Sequence, residues 1–127
     1  MQEVVPGDES NLWICSCTFD TYSEIVSSFI FKKISTSPAH YGVTSYVISQ
    51  DNNQLLELAA AVGKNISYVG PVDIEFKFDQ RDNTYKYIEI NPRIGMCTYF
   101  DTYYGVNNIE NAYYITADRA DLIKSSC

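Results

Sequence analysis

Two stretches in the middle of the chain alternate apolar and polar residues with a period of two. The first covers residues 72–79 and the second covers residues 85–91, and five residues of turn composition separate them. This pattern is typical of two antiparallel strands joined as a β-hairpin. The simplest register pairs four sets of residues: Asp79 with Tyr85, Lys77 with Tyr87, Glu75 with Glu89, and Asp73 with Asn91.

The two faces of this predicted hairpin differ in chemistry. One face is apolar and is expected to be buried in the core; its members are Ile74, Phe76, Phe78, Ile88 and Ile90. The other face places Glu75 directly opposite Glu89, with Asn91 beside them and Arg93 just after the second strand. Two like charges at facing positions destabilise a sheet, so this face needs an explanation.

A hard divalent cation would remove the repulsion between the two glutamates. Mg²⁺ takes oxygen ligands, commonly one or two carboxylates, and leaves the rest of its coordination to water and phosphate oxygens. Glu75, Glu89 and Asn91 therefore form a candidate site for Mg²⁺ or Mn²⁺, with Arg93 placed to bind an anionic group beside it. The alternative is a solvated strand face on which acidic residues occur without a role.

The rest of the pattern predicts a small α+β domain. Two further strands are expected at residues 12–19 and 25–34, and apolar residues at helical spacing predict a helix after residue 54. Shorter helices are expected near residues 98–104 and 107–116. We therefore expect 127 residues to form one domain with a single core, in which a mostly antiparallel sheet has helices packed on one face.

Composition and charge narrow the classes of function. The formal net charge of −7, with only nine Lys and Arg residues, argues against a surface for nucleic acid or for an anionic membrane. The sequence shows neither an apolar run that could span a bilayer nor a signal peptide, so a cytoplasmic protein is expected. No disulfide framework or zinc site is expected from its single histidine and four cysteines: His40, Cys15, Cys17, Cys97 and Cys127.

The hairpin motif resembles the metal-binding end of the ATP-grasp ligases. The matching residues are Gly70-Pro-Val-Asp-Ile-Glu75-Phe and, after the turn, Tyr87-Ile-Glu89-Ile-Asn91-Pro-Arg93, which fit the pattern E-F…E-I/M-N-x-R of that family. The resemblance implies that Glu75, Glu89 and Asn91 hold Mg²⁺ against the phosphates of ATP. It also implies a catalytic role for Arg93 in stabilising the acyl-phosphate step.

Two other segments follow in the order that this family requires. The first nine residues resemble the strand that links the two lobes of the ATP site, although they read equally well as a strand that ends in a turn. The resemblance implies that Glu3, Val4 and Val5 line the adenine and that Glu9 binds the ribose. It also implies that Lys33 contacts the terminal phosphate; the alternative is a basic strand end that discourages edge pairing.

The resemblance covers nearly all of the chain but only the C-terminal lobe of the family. Residues 1–127 lack the earlier lobe and the glycine-rich loop that covers the phosphates, so a partial domain that is inactive alone is expected. The implied parent is an ATP-dependent carboxylate–amine ligase of the carbamoyl-phosphate synthase large-subunit branch; thiol ligases of succinyl-CoA type are a further option. The alternatives outside catalysis are a nucleotide-binding remnant and an acidic interaction module. The linking strand, left exposed, would favour a homo-oligomer.

Overall fold

A computed structural model describes residues 2–38 and 43–123 of the chain. Within these residues the structure contains five β-strands, three α-helices and two short 3-10 turns, at Glu9–Asn11 and Ala120–Leu122. The strands are β1 (Leu12–Phe19), β2 (Ile25–Ser37), β3 (Val43–Ser49), β4 (Gly70–Asp79) and β5 (Thr84–Asn91). The helices are α1 (Asn53–Asn65), α2 (Thr98–Tyr103) and α3 (Asn108–Thr116).

The five strands form one sheet in the order β3-β2-β1-β4-β5, and every neighbouring pair is antiparallel. The predicted α+β class with an antiparallel sheet is therefore confirmed. Strand β1 lies at the centre of the sheet, and all of its residues after Leu12 are buried. A strand that is buried on both sides needs cover on both faces of the sheet.

The helices supply this cover from opposite sides, whereas the sequence predicted helices on one face. Leu55 and Ala59 of α1 pack in the core with Cys15 and Cys17, which point to one side of β1. The alternate residues of β1 face α2 and α3 instead, since Ser16 Oγ donates a hydrogen bond of 2.9 Å to Asp101 Oδ2. The pattern of the sequence predicted these two helices but not the face on which they pack, because their contact with the sheet is through buried hydrogen bonds.

The register of the β4–β5 hairpin agrees with the prediction at its open end and differs near its turn. Glu75 pairs with Glu89 and Asp73 pairs with Asn91, as predicted. Beyond Glu75 a β-bulge shifts the register by one residue, so that Lys77 pairs with Lys86 and Asp79 with Thr84. The pairs predicted there, Lys77 with Tyr87 and Asp79 with Tyr85, were wrong.

Burial of the predicted core face is uneven across the hairpin. Ile74 and Phe76 of β4 are buried, while Ile88 and Ile90 of β5 are half-buried. The difference follows from position, because β4 has neighbours on both sides and β5 is the last strand of the sheet. The prediction of a core face is therefore confirmed for Ile74 and Phe76, and only partly for Phe78, Ile88 and Ile90.

The first residues of the chain do not form the predicted strand. Residues 2–6 carry no strand pairing, and Asp8 begins a 3-10 turn by accepting a hydrogen bond from the amide of Ser10. The segment follows the β4–β5 hairpin through side-chain bonds: Gln2 Nε2 donates to the carbonyl of Ile88 at 2.9 Å, and Lys77 Nζ donates to that of Gly7 at 2.9 Å. The start of the chain is therefore attached to the hairpin by side-chain hydrogen bonds rather than by the backbone hydrogen bonds of a paired strand.

Candidate functional site

One face of the sheet collects the polar residues that the sequence singled out. Glu75 pairs with Ile14 of β1, and Ile14 pairs with Phe31 of β2, so these three residues share a face. Side chains two residues apart on a strand point the same way. The helices α2 and α3 lie on this side of the sheet. We call its polar surface the carboxylate face, and its members are Lys33, Asp73, Glu75, Glu89 and Asn91.

Lys33 and Glu75 form a largely buried ion pair on the carboxylate face. Lys33 Nζ lies 2.9 Å from Glu75 Oε2, and the two side chains are 10 % and 17 % exposed. Because β1 separates β2 from β4, the lysine side chain crosses β1 to reach the glutamate. The structure thus joins the predicted phosphate-binding lysine to a predicted metal ligand, and the lysine offsets the repulsion between Glu75 and Glu89.

Glu89 and Asn91 complete the predicted set of metal ligands. Glu89 lies opposite Glu75 and is exposed, and Asn91 Nδ2 donates a hydrogen bond of 3.1 Å to Glu89 Oε1. Two carboxylates and one amide oxygen suit the preference of Mg²⁺ for oxygen ligands. In residues 2–38 and 43–123, no group of three or more His, Cys, Asp or Glu side chains is arranged to hold a metal ion. A cation here would therefore depend on Asn91, water and phosphate oxygens as well.

Arg93 lies at the open end of the hairpin, next to the carboxylate face. Its backbone amide donates to the carbonyl of Asn91 at 2.8 Å, which forms a tight turn directly after β5. The Arg93 side chain is exposed. Burial raises the pKa of Asp73, and the positive charge of Arg93 opposes this rise without cancelling it. The exposed guanidinium is therefore accessible to an anion, and it is close enough to Asp73 of the carboxylate face to affect its pKa.

Asp73 is a further acid of the carboxylate face that the sequence treated only as a register partner. It is nearly buried because the loop after Arg93 passes over it. A Cβ atom at Gly95 would lie 1.6 Å from Asp73 Oδ2, so this position accepts no side chain in the present geometry. The pattern of the sequence could not reveal this contact, because it depends on how the loop folds back over β4.

Asp101 is the most perturbed acid near the site. Its Oδ2 accepts hydrogen bonds from Ser16 Oγ at 2.9 Å and Asn108 Nδ2 at 2.7 Å, while its buried Oδ1 has no partner among the described residues. Burial raises the pKa of Asp101 to about 6, above the usual range of an aspartate. Asn108 in turn accepts from Ser27 Oγ at 2.5 Å, so a chain of buried polar groups fixes α2 and α3 to the sheet.

The predicted adenine and ribose residues lie in the segment before β1, which contacts the turn of the β4–β5 hairpin through Glu3 and strands β2 and β4 through its 3-10 turn. Glu3 is exposed and pairs with Arg81 at 2.9 Å, Val4 is exposed and Val5 is buried. Glu9 is half-buried in the first 3-10 turn. Arg81 also holds the pKa of Asp79 down to about 2 through hydrogen bonds. These contacts order the segment, and the roles of Glu3, Val4, Val5 and Glu9 remain predictions.

Together, the antiparallel sheet, the facing glutamates and the basic residues beside them define an ATP-binding domain of the ATP-grasp ligases. Comparison with protein families agrees with this class. The chain belongs to the family described as "Carbamoyl-phosphate synthase L chain, ATP binding domain", whose model matches residues 3–99. The resemblance to ATP-grasp ligases is thereby confirmed.

Individual relatives give the same picture. The chain is 28 % identical over 121 residues to a D-aspartate ligase from Enterococcus faecium (strain Aus0004), covering 94 % of this chain and 28 % of that protein. It is similar in fold to pyruvate carboxylase from Rhizobium etli, with a TM-score of 0.64, 17 % identity and coverage of 90 % of this chain and 12 % of that one. An L-amino acid ligase from Bacillus licheniformis has a TM-score of 0.58 at 14 % identity, with coverage of 94 % and 34 %.

Two features of the sequence prediction lie outside the described residues, namely His40 and Cys127. Among the described cysteines, Cys15, Cys17 and Cys97 are free thiols. The helices in the described part of the chain include none that is long and apolar enough to cross a membrane.

Proposed function

We propose that this chain is the lobe that binds Mg²⁺ and ATP phosphates in a ligase that joins a carboxylate to an amine. The observation that carries the proposal is the carboxylate face, where facing glutamates, an amide and a lysine meet on one side of the sheet. Phosphoryl transfer depends on positioning and on charge stabilisation, and these residue types supply both.

Four residues of the face, and Arg93 beside it, each have a role in this proposal. Oxygens of Glu75, Glu89 and Asn91 would hold Mg²⁺, which neutralises phosphate charge when bound. Lys33 would contact the terminal phosphate, and Arg93 would stabilise the negative charge on the group being transferred. Glu3, Val4, Val5 and Glu9 would contact the adenine and ribose.

The proposed reaction has two balanced steps. A carboxylate oxygen attacks the terminal phosphorus of ATP, the bond to ADP breaks, and an acyl phosphate forms. An amine nitrogen then attacks the acyl carbon, inorganic phosphate leaves with the bonding electrons, and the nitrogen loses a proton to give the amide. Arg93 would stabilise the negative charge on the transferring phosphoryl group and on the departing phosphate.

An amino acid is the amine substrate that we propose. The names of two relatives, D-aspartate ligase and L-amino acid ligase, each include an amino acid. The chain spans about 28 % of the length of the D-aspartate ligase. We therefore expect the groups that select the substrates to lie elsewhere in a protein of that size.

Binding of a non-hydrolysable ATP analogue, measured by isothermal titration calorimetry, tests the proposal. Binding should require Mg²⁺, and Glu89→Gln should weaken it at least about tenfold, since it removes one charged ligand. Glu57→Gln is the matched control, because Glu57 is exposed on α1 across the sheet from the carboxylate face. Equal affinity in the Glu89 variant and the wild type, or binding that ignores Mg²⁺, would refute the proposed site.

A further inference from the structure

The Lys33–Glu75 ion pair poses a problem for the proposed site. Glu75 faces Glu89 across the hairpin and is at the same time bound to Lys33 Nζ at 2.9 Å. A metal ion at Glu75 would lie close to the lysine ammonium, and both are positively charged. The lysine and the metal therefore compete for one carboxylate.

The burial of the pair makes this competition strong. Only 10 % of the Lys33 side chain and 17 % of the Glu75 side chain are exposed, so water compensates little for a lost partner. Removing one member of a buried ion pair leaves the other charge desolvated, which is costly. If a metal ion without nucleotide displaced Lys33 from Glu75, the lysine would be left as a desolvated charge with no partner, which is unfavourable.

A nucleotide changes the balance because it brings its own negative charge. Its terminal phosphate offers Lys33 a new partner on the same face, at the moment when the metal takes over Glu75. Lys33 is then paired with the phosphate, and the metal ion is paired with Glu75. The arrangement favours the metal and the nucleotide together over the metal alone.

We propose that Lys33 occupies the place of the metal on Glu75 until nucleotide binds, and so couples the binding of metal and nucleotide. The inference rests on the proposed function, since it takes the carboxylate face as the metal–nucleotide site. Coupling of this kind is reciprocal, so the nucleotide raises the metal affinity by the same factor by which the metal raises that of the nucleotide. Factors of roughly 5 to 150 are typical for such coupling.

Mn²⁺ titrations followed by electron paramagnetic resonance of the free ion test this exchange without any activity assay. Lys33→Met should raise the affinity for Mn²⁺ alone at least about tenfold, because the competing charge is gone. With a non-hydrolysable ATP analogue present, the same variant should lose this advantage, because the phosphate has lost its lysine. Lys33→Gln, which keeps a hydrogen-bond donor without the charge, should behave in the same way and guards against misfolding of the Met variant.

Lys32→Met is the matched control for these titrations. Lys32 is the neighbouring residue on β2, but it points to the opposite face, where its Nζ lies 5.4 Å from the centre of the Trp13 ring. The same change of charge there should leave Mn²⁺ affinity within about twofold of wild type. The double variant Lys33→Met/Glu89→Gln should lose the added affinity, which places the bound ion on the hairpin.

The outcomes separate the inference from the proposed function. If wild type binds Mn²⁺ with nucleotide at the hairpin, but Lys33→Met and Lys33→Gln bind Mn²⁺ alone no tighter than Lys32→Met, the exchange is refuted and the proposed function stands. If no variant binds Mn²⁺ through Glu89, with or without nucleotide, the proposed site itself is refuted.

Discussion

At the scale of single residues, the most consequential group is Asp101. Asp101 belongs to α2, its carboxylate is completely buried against β1, and burial raises its pKa to about 6. The folded state therefore binds a proton more readily than the unfolded state, in which an aspartate titrates near its usual value. Under this linkage, the contribution of Asp101 to stability is fully present below about pH 4, where an ordinary aspartate titrates, and is lost as the pH rises from there through about 6.

Asp101→Asn should remove this pH dependence. At pH 8 the variant should be more stable than wild type by about 1–2 kcal/mol, since it removes a buried charge while keeping an oxygen to accept from Ser16 and Asn108. The difference should shrink as the pH falls below 6 and should approach zero only below about pH 4, where the aspartate is protonated in the unfolded state as well. Urea unfolding of both proteins at several pH values measures it, with the exposed Asp51→Asn as control. A constant difference across pH would contradict the assignment.

Gly63 shows how a local rule and a packing contact can oppose each other. In α1, glycine is a poor helix former, and Gly63→Ala would normally stabilise by about 1 kcal/mol. Here a Cβ atom would lie 2.1 Å from Cε1 of Phe19, a buried ring of the core.

We therefore expect Gly63→Ala to destabilise the fold by about 1–3 kcal/mol, as overpacked cores do. Thermal or urea unfolding gives the change in the free energy of unfolding. Ala61, exposed on the same helix, provides the opposite control: Ala61→Gly should cost about 1 kcal/mol through propensity alone. A stabilised Gly63 variant would show that Phe19 moves aside freely.

At the scale of elements, the hairpin was the part of the fold that the sequence predicted best. Alternation with a period of two specifies which residues share a face, and the short turn limits the register, so the Glu75–Glu89 pair could be predicted. The β-bulge, which leaves Ile88 without a paired residue on β4, could not be predicted. It turns Tyr85 and Tyr87 toward Phe78 and Phe76, with ring centres 5.1 and 6.4 Å apart, whereas the pattern counted tyrosine as polar.

The helices α2 and α3 were predicted, but that they form a second layer on the opposite face of the sheet was not, for a related physical reason. The attachment of this layer to the sheet is polar, through Ser16, Thr18 and Ser27 to Asp101 and Asn108. Hydrophobic periodicity detects apolar burial and says nothing about buried hydrogen bonds between residues more than 80 positions apart. The same limit hid Asp73 and Gly95, whose contact arises only when the loop folds over β4.

The apolar side of β4 should contribute strongly to stability. Phe76 is 2 % exposed and belongs to the core cluster with Trp13 and Ile74. Phe76→Ala should reduce the free energy of unfolding by about 3–5 kcal/mol, the usual cost of truncating a core aromatic. Phe78→Ala, at a half-buried position of the same strand, should cost clearly less. Chemical unfolding compares the two, and equal costs would contradict the core face described here.

At the scale of the whole molecule, the carboxylate face would supply only part of what the proposed ligation requires. Acyl-phosphate chemistry needs several charges and both substrates held together, and the chain spans about 28 % of a curated relative. We expect residues 1–127 alone to bind nucleotide without releasing phosphate from ATP in the presence of amino acids. A phosphate-release assay checks this, and metal-dependent release that Arg93→Ala abolishes would contradict it.

The homo-oligomer was predicted because the start of the chain was expected to expose a strand edge, and the structure does not support that reason. Residues 2–5 were expected to present an unpaired strand edge, but they are not a strand, and the Gln2 side chain bonds the carbonyl of Ile88. The exposed aromatic residues of α2, Tyr99 and Tyr103, are a separate apolar surface. Oligomerisation therefore stays a prediction.

The central claim, a metal–nucleotide site on the carboxylate face, is tested most directly by paramagnetic broadening in NMR spectra. With Mn²⁺ and a non-hydrolysable ATP analogue, amide signals of residues 73–76 and 88–93 should broaden first, and Glu89→Gln should remove the effect. Without metal, that variant should be as stable as wild type or slightly more stable, since it relieves like-charge repulsion. Broadening centred elsewhere on the molecule, with the hairpin signals unchanged, would contradict the claim.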